Sequence, residues 1–166
     1  CMLYMLFFFL NVRRPPRCTQ GRSSAASDVY KRQIDALVWD GHVEITGIGD
    51  RIIQGAPYFI ELGHTMPSAL PKKVLDSAVR VMKQGIRALG IDIGAAKGDI
   101  KLTPKGPMIG ELAARLSGGF MSGFTYPYAT GVDLMSAAIR IAMGEHHGVL
   151  TPRWNRVSAC TLYTSD

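Results

Sequence analysis

The chain has 166 residues, 47% of them hydrophobic, 19% charged and 8% aromatic, with 19 Lys and Arg against 13 Asp and Glu for a formal charge of +6. That length suits one domain with a sizeable core, and the composition excludes a disordered acidic chain, a collagen and a disulfide-dense scaffold. No apolar run approaches the roughly 18–20 residues of a membrane-spanning helix, and the longest, Met2–Leu10, precedes Arg13, Arg14 and Arg17, the reverse of the order in a secretory leader.

The ends differ from the middle. Residues 1–33 hold six basic residues and one acidic, whereas 34–159 hold 13 and 11, and all three cysteines (Cys1, Cys18, Cys160) lie outside 34–159. Read for function, Arg13-Arg14-Pro15-Pro16-Arg17 would be a nucleic-acid or targeting patch. The runs Phe7-Phe8-Phe9-Leu10-Asn11-Val12-Arg13-Arg14-Pro15-Pro16-Arg17 and Ser23-Ser24-Ala25-Ala26-Ser27-Asp28-Val29-Tyr30-Lys31-Arg32-Gln33 instead resemble translated sequencing-adapter sequence, as does Leu162-Tyr163-Thr164-Ser165-Asp166. The expectation is therefore that 1–33 and 160–166 are non-native, that 34–159 is part of a larger domain, and that neither nucleic acid nor a membrane is a partner. A cysteine-free interior suits a reducing cytoplasm.

Within 34–159 the elements follow in order. Ile34–Trp39 and His42–Ile48 flank Asp40-Gly41, a strong hairpin signal because both turn positions need positive φ. Tyr58–Leu62 reads as a third strand. Leu70–Leu89 reads as a helix with Val74, Leu75, Ala78, Val81, Met82, Ile86 and Leu89 on one stripe, Pro71 in its first turn and Gly90 at its stop. Gly85 inside it costs about 1 kcal/mol against Ala, which implies close packing there. A second hairpin joins Lys97–Thr103 to Pro107–Leu116 through Pro104-Lys105-Gly106. Gly118–Pro127 reads as a loop, and Gly131–Met143 as a helix capped by Thr130 with Asp133. This order predicts an α+β fold, an antiparallel sheet with helices packed on one face.

The second hairpin carries the chemistry. Side chains alternate along a strand, so Asp99, Lys101 and Thr103 share a face, as do Glu111, Ala113 and Arg115. With a three-residue loop, Asp99 stands directly across from Glu111. Like charges so placed repel, which calls for a compensating cation. Mg²⁺, held by one or two carboxylates and substrate phosphates, is one answer, and Lys101 and Arg115 would then hold anions. A solvated Lys/Asp/Glu face is the plainer answer, since a loop of another length breaks the pairing. Glu61 and His64 either face a polar site or sit at the core edge and the surface. His146-His147 reads as a solvated turn, and Ser117-Gly118-Gly119 as a place where a ligand approaches backbone closely.

Asp99-Ile100-Lys101 and Glu111-Leu112-Ala113-Ala114-Arg115-Leu116-Ser117-Gly118-Gly119 together resemble the C-terminal half of an ATP-grasp domain. In that superfamily an acidic strand residue and the Glu of a Glu-x-Asn-x-Arg motif hold Mg²⁺ (or Mn²⁺) on ATP. Asp99 and Glu111 match those positions and Arg115 matches the Arg, while Ala113 replaces the Asn. Phe59-Ile60-Glu61-Leu62-Gly63-His64-Thr65-Met66-Pro67-Ser68 is similar to a run in ligase-type members, as is Asp40-Gly41 with Gly47-Ile48-Gly49-Asp50-Arg51. The family's ATP-clamping lysines and Gly-rich lid have no match in 34–159 and are expected upstream.

The resemblance implies a ligase that activates a carboxylate as an acyl phosphate for attack by an amine. Arg115, Glu61 and His64 would be catalytic or substrate-binding. Asp99, Lys101, Glu111, Ser117, Gly118 and Gly119 would bind the metal nucleotide, and Asp99 and Glu111 the metal itself. The partners implied are small-molecule carboxylate and amine substrates, with an oligomer left open. A non-catalytic nucleotide- or partner-binding module on the same fold is the alternative, suggested by Ala113.

Overall fold

The computed structural model describes residues 31–54 and 59–161. The Arg13–Arg17 patch, the adapter-like run up to Tyr30, the last five residues and the beginning of the expected Tyr58–Leu62 strand lie outside them. The elements are β1 (Lys31–Trp39), β2 (His42–Ile53), β3 (Glu61–Met66), α1 (Lys72–Ala88), β4 (Gly94–Thr103), β5 (Gly106–Ala113), a π-helical turn (Met121–Thr125), α2 (Tyr126–Thr130), α3 (Leu134–Ala142) and β6 (Ser158–Thr161). The six strands form one sheet in the order β5-β4-β1-β2-β3-β6, with every neighbouring pair antiparallel. Both ends of the chain outside 34–159 reach into this sheet, Lys31–Gln33 through β1 and Cys160–Thr161 through β6.

The α+β architecture expected from the sequence stands, with one correction: the helices divide between the two faces. Ile34, Ala36 and Val38 of β1 are buried with Ala78, Met82 and Ile86 of α1. Leu37, which alternation turns the other way, is buried with Met121, Tyr126, Leu134, Ala137 and Ile141. A central strand buried on both sides needs a layer packed on each. The Gly118–Pro127 loop of the sequence reading contains part of that second layer, the π-helical turn and the start of α2.

Boundaries moved for local reasons. Pro71 has ψ 140° and precedes α1 rather than opening it, while Gly90 takes φ +66° just past its end, as the stop requires. The third strand begins at Glu61, after Phe59 at φ +48°, a left-handed value outside the regular strand region. In α3 the capping residue is Asp133, whose carboxylate accepts from the Ser136 N–H at 3.0 Å, and Thr130 instead closes α2 by donating to the Tyr126 carbonyl.

Each of three ladders contains an extra residue: Thr46 in β2 against Asp35/Ala36, Leu62 in β3 against Ile52/Ile53, and Gly110 in β5 against Asp99/Ile100. A bulge resets the alternation of the strand that carries it. Thus Ile45 and Ile48 both pack on the α1 side. Gly47 and Gly49 turn to the opposite face, against Tyr126 and Met121. Replacing Gly47 by Ala would put a Cβ 2.6 Å from Tyr126 Cδ2 in a ring that is only 2% exposed. Urea denaturation of Gly47→Ala is expected to show a loss of about 1–3 kcal/mol. Gly123→Ala, whose Cβ meets nothing within 4 Å, should stay within about 0.5 kcal/mol of the parent.

Candidate functional site

The site lies on the sheet face opposite α1. Three neighbouring strands bring Gln33, Lys97 and Asp99, and Arg51 onto it, and two of the bulges add Glu61 and Glu111. In the second hairpin the turn is the two residues Pro104-Lys105, so Thr103 pairs with Gly106 and Lys101 with Met108, one step from the expected register. Gly110 then supplies the missing step, and Asp99 faces Glu111 as the sequence reading required. The bulge also separates faces: Ile109 packs toward α1, where a Cβ on Gly85 would collide with it, while Glu111 opens on the other side. The close packing expected at Gly85 is thus observed.

Gln33, Arg51, Glu61, Lys97, Asp99, Glu111, Arg115, Gly118 and Gly119 line a cleft of about 300 Å³. It holds three cations and three carboxylates. Arg51 donates from Nη1 to Asp99 Oδ2 at 2.9 Å and from Nη2 to Glu61 Oε2. Lys97 Nζ lies 3.2 Å from Asp99 Oδ1 and 2.8 Å from Glu111 Oε1. The compensating charge that the opposed carboxylates demand is therefore already supplied by the protein. The hydrogen bond and charge of Lys97 hold the Glu111 carboxyl below its ordinary range, helped by Arg115 and Arg51.

Behind the cleft, Ser117 is buried. It accepts from the Gln33 amide nitrogen and donates to Asp35 Oδ1, while Ser122 donates to Asp35 Oδ2 at 2.7 Å. Asp35 is 1% exposed, and burial raises its pKa against the opposing pull of these two hydroxyls. The network ties both ends of the Gly118–Gly119–Phe120 turn to β1. Gly119 at φ +60° and Phe120 at φ +63° give this turn its left-handed shape.

Of the residues singled out from the sequence, Glu61, Asp99, Glu111, Arg115, Gly118 and Gly119 meet in the cleft. Ser117 supports it from below. Lys101 stands beyond the bulge and is not among the cleft-lining residues. His64 is neither at the surface nor in the cleft: it is 1% exposed, with Nε2 2.8 Å from Thr125 Oγ1, joining β3 to the π-helical turn. Burial, and then the charge of Arg51, lowers its pKa. His147 is likewise buried, 3.6 Å from Glu44, whereas His146 is exposed as expected. Sequence reading missed Arg51, Lys97 and Gln33 as site residues. Alternation alone places Lys97 beside Asp99, but Arg51 needed the pairing of β2 with its neighbours.

Asp99 and Glu111, opposed across β4 and β5, are the carboxylates that a metal would share if one entered the cleft. Among the described residues no group of three or more His, Cys, Asp or Glu could hold one. Two opposed carboxylates suit a hard cation whose remaining ligands come from water and phosphate, not an all-protein cage.

No protein-family model matches the chain. It is 28% identical over 114 residues to a carnosine synthase of Gallus gallus, covering 69% of this chain and 12% of that protein. Among solved structures, the L-amino acid ligase from Bacillus licheniformis superposes with a TM-score of 0.69 at 24% identity, over 80% of this chain and 34% of that one. The biotin carboxylase domain of the Hydrogenobacter thermophilus 2-oxoglutarate carboxylase, solved with MgADP and bicarbonate, gives 0.62 at 22% identity, over 78% of this chain and 28% of that one. The chain thus spans about an eighth of the curated relative and about a third of each solved structure.

Two outcomes follow from this geometry. Arg51→Met leaves Glu61 and Asp99 without their shared cation, although Asp99 keeps Lys97, and should cost about 1–3 kcal/mol in denaturant unfolding. Because the Glu111 pKa is depressed in the fold, its stabilisation is complete above its ordinary value and is lost as pH falls through the lower, folded one. In a carboxyl NMR titration, Lys97→Met should move the Glu111 midpoint upward, and an unmoved midpoint would show that Lys97 is not its partner.

Proposed function

Starting from a chain that has the ATP-grasp fold, we propose that its cleft is the phosphate- and carboxylate-handling part of an ATP-dependent ligase. The reaction is the activation of a small-molecule carboxylate as an acyl phosphate, followed by attack of an amine or similar nucleophile. The carboxylate oxygen takes the γ-phosphoryl group of ATP and ADP leaves. The amine nitrogen then bonds to the carbonyl carbon, phosphate departs, and the amine gives up a proton. The observation that carries this reading is the placing of Asp99 directly across from Glu111 in the cleft that Arg115, Gly118 and Gly119 also line.

In this reading Asp99 and Glu111 hold Mg²⁺ or Mn²⁺, which neutralises charge on the transferring phosphoryl group when bound. Arg115, exposed two residues beyond β5 and donating to the Leu116 carbonyl at 3.0 Å, extends a guanidinium suited to two anionic oxygens. Gly118 and Gly119 offer backbone that a substrate can approach closely. Glu61, anchored by Arg51, orients the amine. His64 acts from beneath by fixing β3 against the π-helical turn, a structural part in place of the catalytic one expected of it. Lys101 and Ser117 serve the nucleotide site only through the strand and turn that they belong to.

Asp99→Asn and Glu111→Gln, tested in the intact protein with ADP release as the readout, should each lower Mg-dependent turnover by about 10²–10³-fold. Unchanged turnover would remove the assignment. A non-catalytic nucleotide-binding module is the second reading, favoured by the balanced charges of the cleft and by the apolar Ala113. MgATP binding without ADP release, whatever carboxylate and amine are offered, would select it.

A further inference from the structure

Lys97 occupies an unusual position. Its side chain is 6% exposed, and its Nζ touches one oxygen of each opposed carboxylate, Asp99 Oδ1 and Glu111 Oε1. Across the ladders its direct partners are Asp35 on β1 and Ala113 on β5. Asp35 is a buried carboxylate that feels its charge, and the Ala113 side chain carries no polar atom. A buried ammonium is costly unless paired, and here the pairing is supplied by the two oxygens that a shared cation would need. A second cation within a few ångströms of the ammonium would be repelled by several kcal/mol even at an effective dielectric constant of about 20. Arg51 is arranged differently. It grips Asp99 through the other oxygen, Oδ2, and ties it to Glu61, so it does not itself occupy the position at Oδ1.

We propose that Lys97 is a tethered counter-ion occupying the cation position shared by Asp99 and Glu111, and that a divalent cation binds there only by displacing its ammonium, which then becomes a ligand for an anionic phosphate oxygen. The proposal rests on the reading of Asp99 and Glu111 as the metal-receiving pair. Lysine suits the task because its charge is compact and its four-carbon stem is flexible, whereas the planar fork of arginine is better fixed in place. Metal and phosphate then help one another: the metal frees the ammonium, and phosphate gives the freed ammonium a partner. Such coupling is reciprocal and typically amounts to about 5–150-fold in affinity.

The test is Mn²⁺ binding to the whole chain, followed by electron paramagnetic resonance with and without inorganic phosphate. The parent, Lys97→Met, Lys97→Arg and Glu111→Gln would be compared. Without phosphate, Lys97→Met should bind Mn²⁺ about tenfold or more tightly than the parent and lose most of the gain that phosphate brings. Lys97→Arg keeps the competing charge on a fork that is harder to displace and should bind Mn²⁺ no more tightly than the parent, with less gain from phosphate. Equal or weaker binding by Lys97→Met, with the parent binding and Glu111→Gln not, overturns the proposal and leaves the metal pair intact. Absence of binding in every protein, with and without phosphate, overturns both. Should Lys97→Met be unfolded without metal, its refolding on addition of Mn²⁺, seen by circular dichroism, supports the proposal, and failure of Mn²⁺ to restore it overturns the proposal.

Discussion

Two carboxylates face each other on adjacent strands, and much of the cleft is arranged around that repulsion. At the 4.5–5.5 Å separation of opposed Cβ atoms, unit charges repel by about 3 kcal/mol at an effective dielectric constant of 20. The fold meets this with Lys97 between Asp99 and Glu111 and with Arg51 on the far oxygen of Asp99. Arg51 in turn draws in Glu61 from β3. Four strands are thereby joined through side chains as well as through their ladders, and the three cations and three carboxylates of the cleft balance.

The bulges make this arrangement possible. Strict alternation would place Ile109 and Glu111 on the same face, forcing either an isoleucine into the polar cleft or a glutamate against α1. One extra residue, Gly110, separates them. Leu62 does the same for Glu61, which shares the cleft face with Arg51, and Thr46 does so for Ile45 and Gly47. A sheet covered by helices on both faces needs such resets wherever a polar site borders a core.

Beneath the cleft a second polar layer fixes the Gly118–Gly119 turn. Asp35 accepts from Ser117 and Ser122, and Gln33 donates to Ser117. Buried groups of this kind are tolerated because each finds a partner, and once paired they fix one geometry. The His64–Thr125 contact does the same at the other end of the π-helical turn. The left-handed backbone at Gly119 and Phe120 is thus held from both sides, which places the open glycines toward the carboxylates.

The sequence by itself determined the hairpin at Asp40-Gly41, the helix with its stripe of Ala78, Met82 and Ile86, and the opposition of Asp99 to Glu111, because these depend on local periodicity and turn chemistry. It also brought out Arg115 and the Gly118-Gly119 turn through their resemblance to a known motif. The opposition arose by a different route from the one expected: a shorter turn and a bulge that cancel one another, and no local signal distinguishes that pair from a three-residue loop. Only the tertiary structure decided that the compensating charges are Arg51 and Lys97, that His64 is buried, that Lys101 is left outside the cleft, and that helices cover both faces. Each of those outcomes depends on which strands become neighbours and where an extra residue resets a ladder. Such long-range pairings follow from burying both faces of β1 at once, and no window of sequence shorter than the whole sheet contains them.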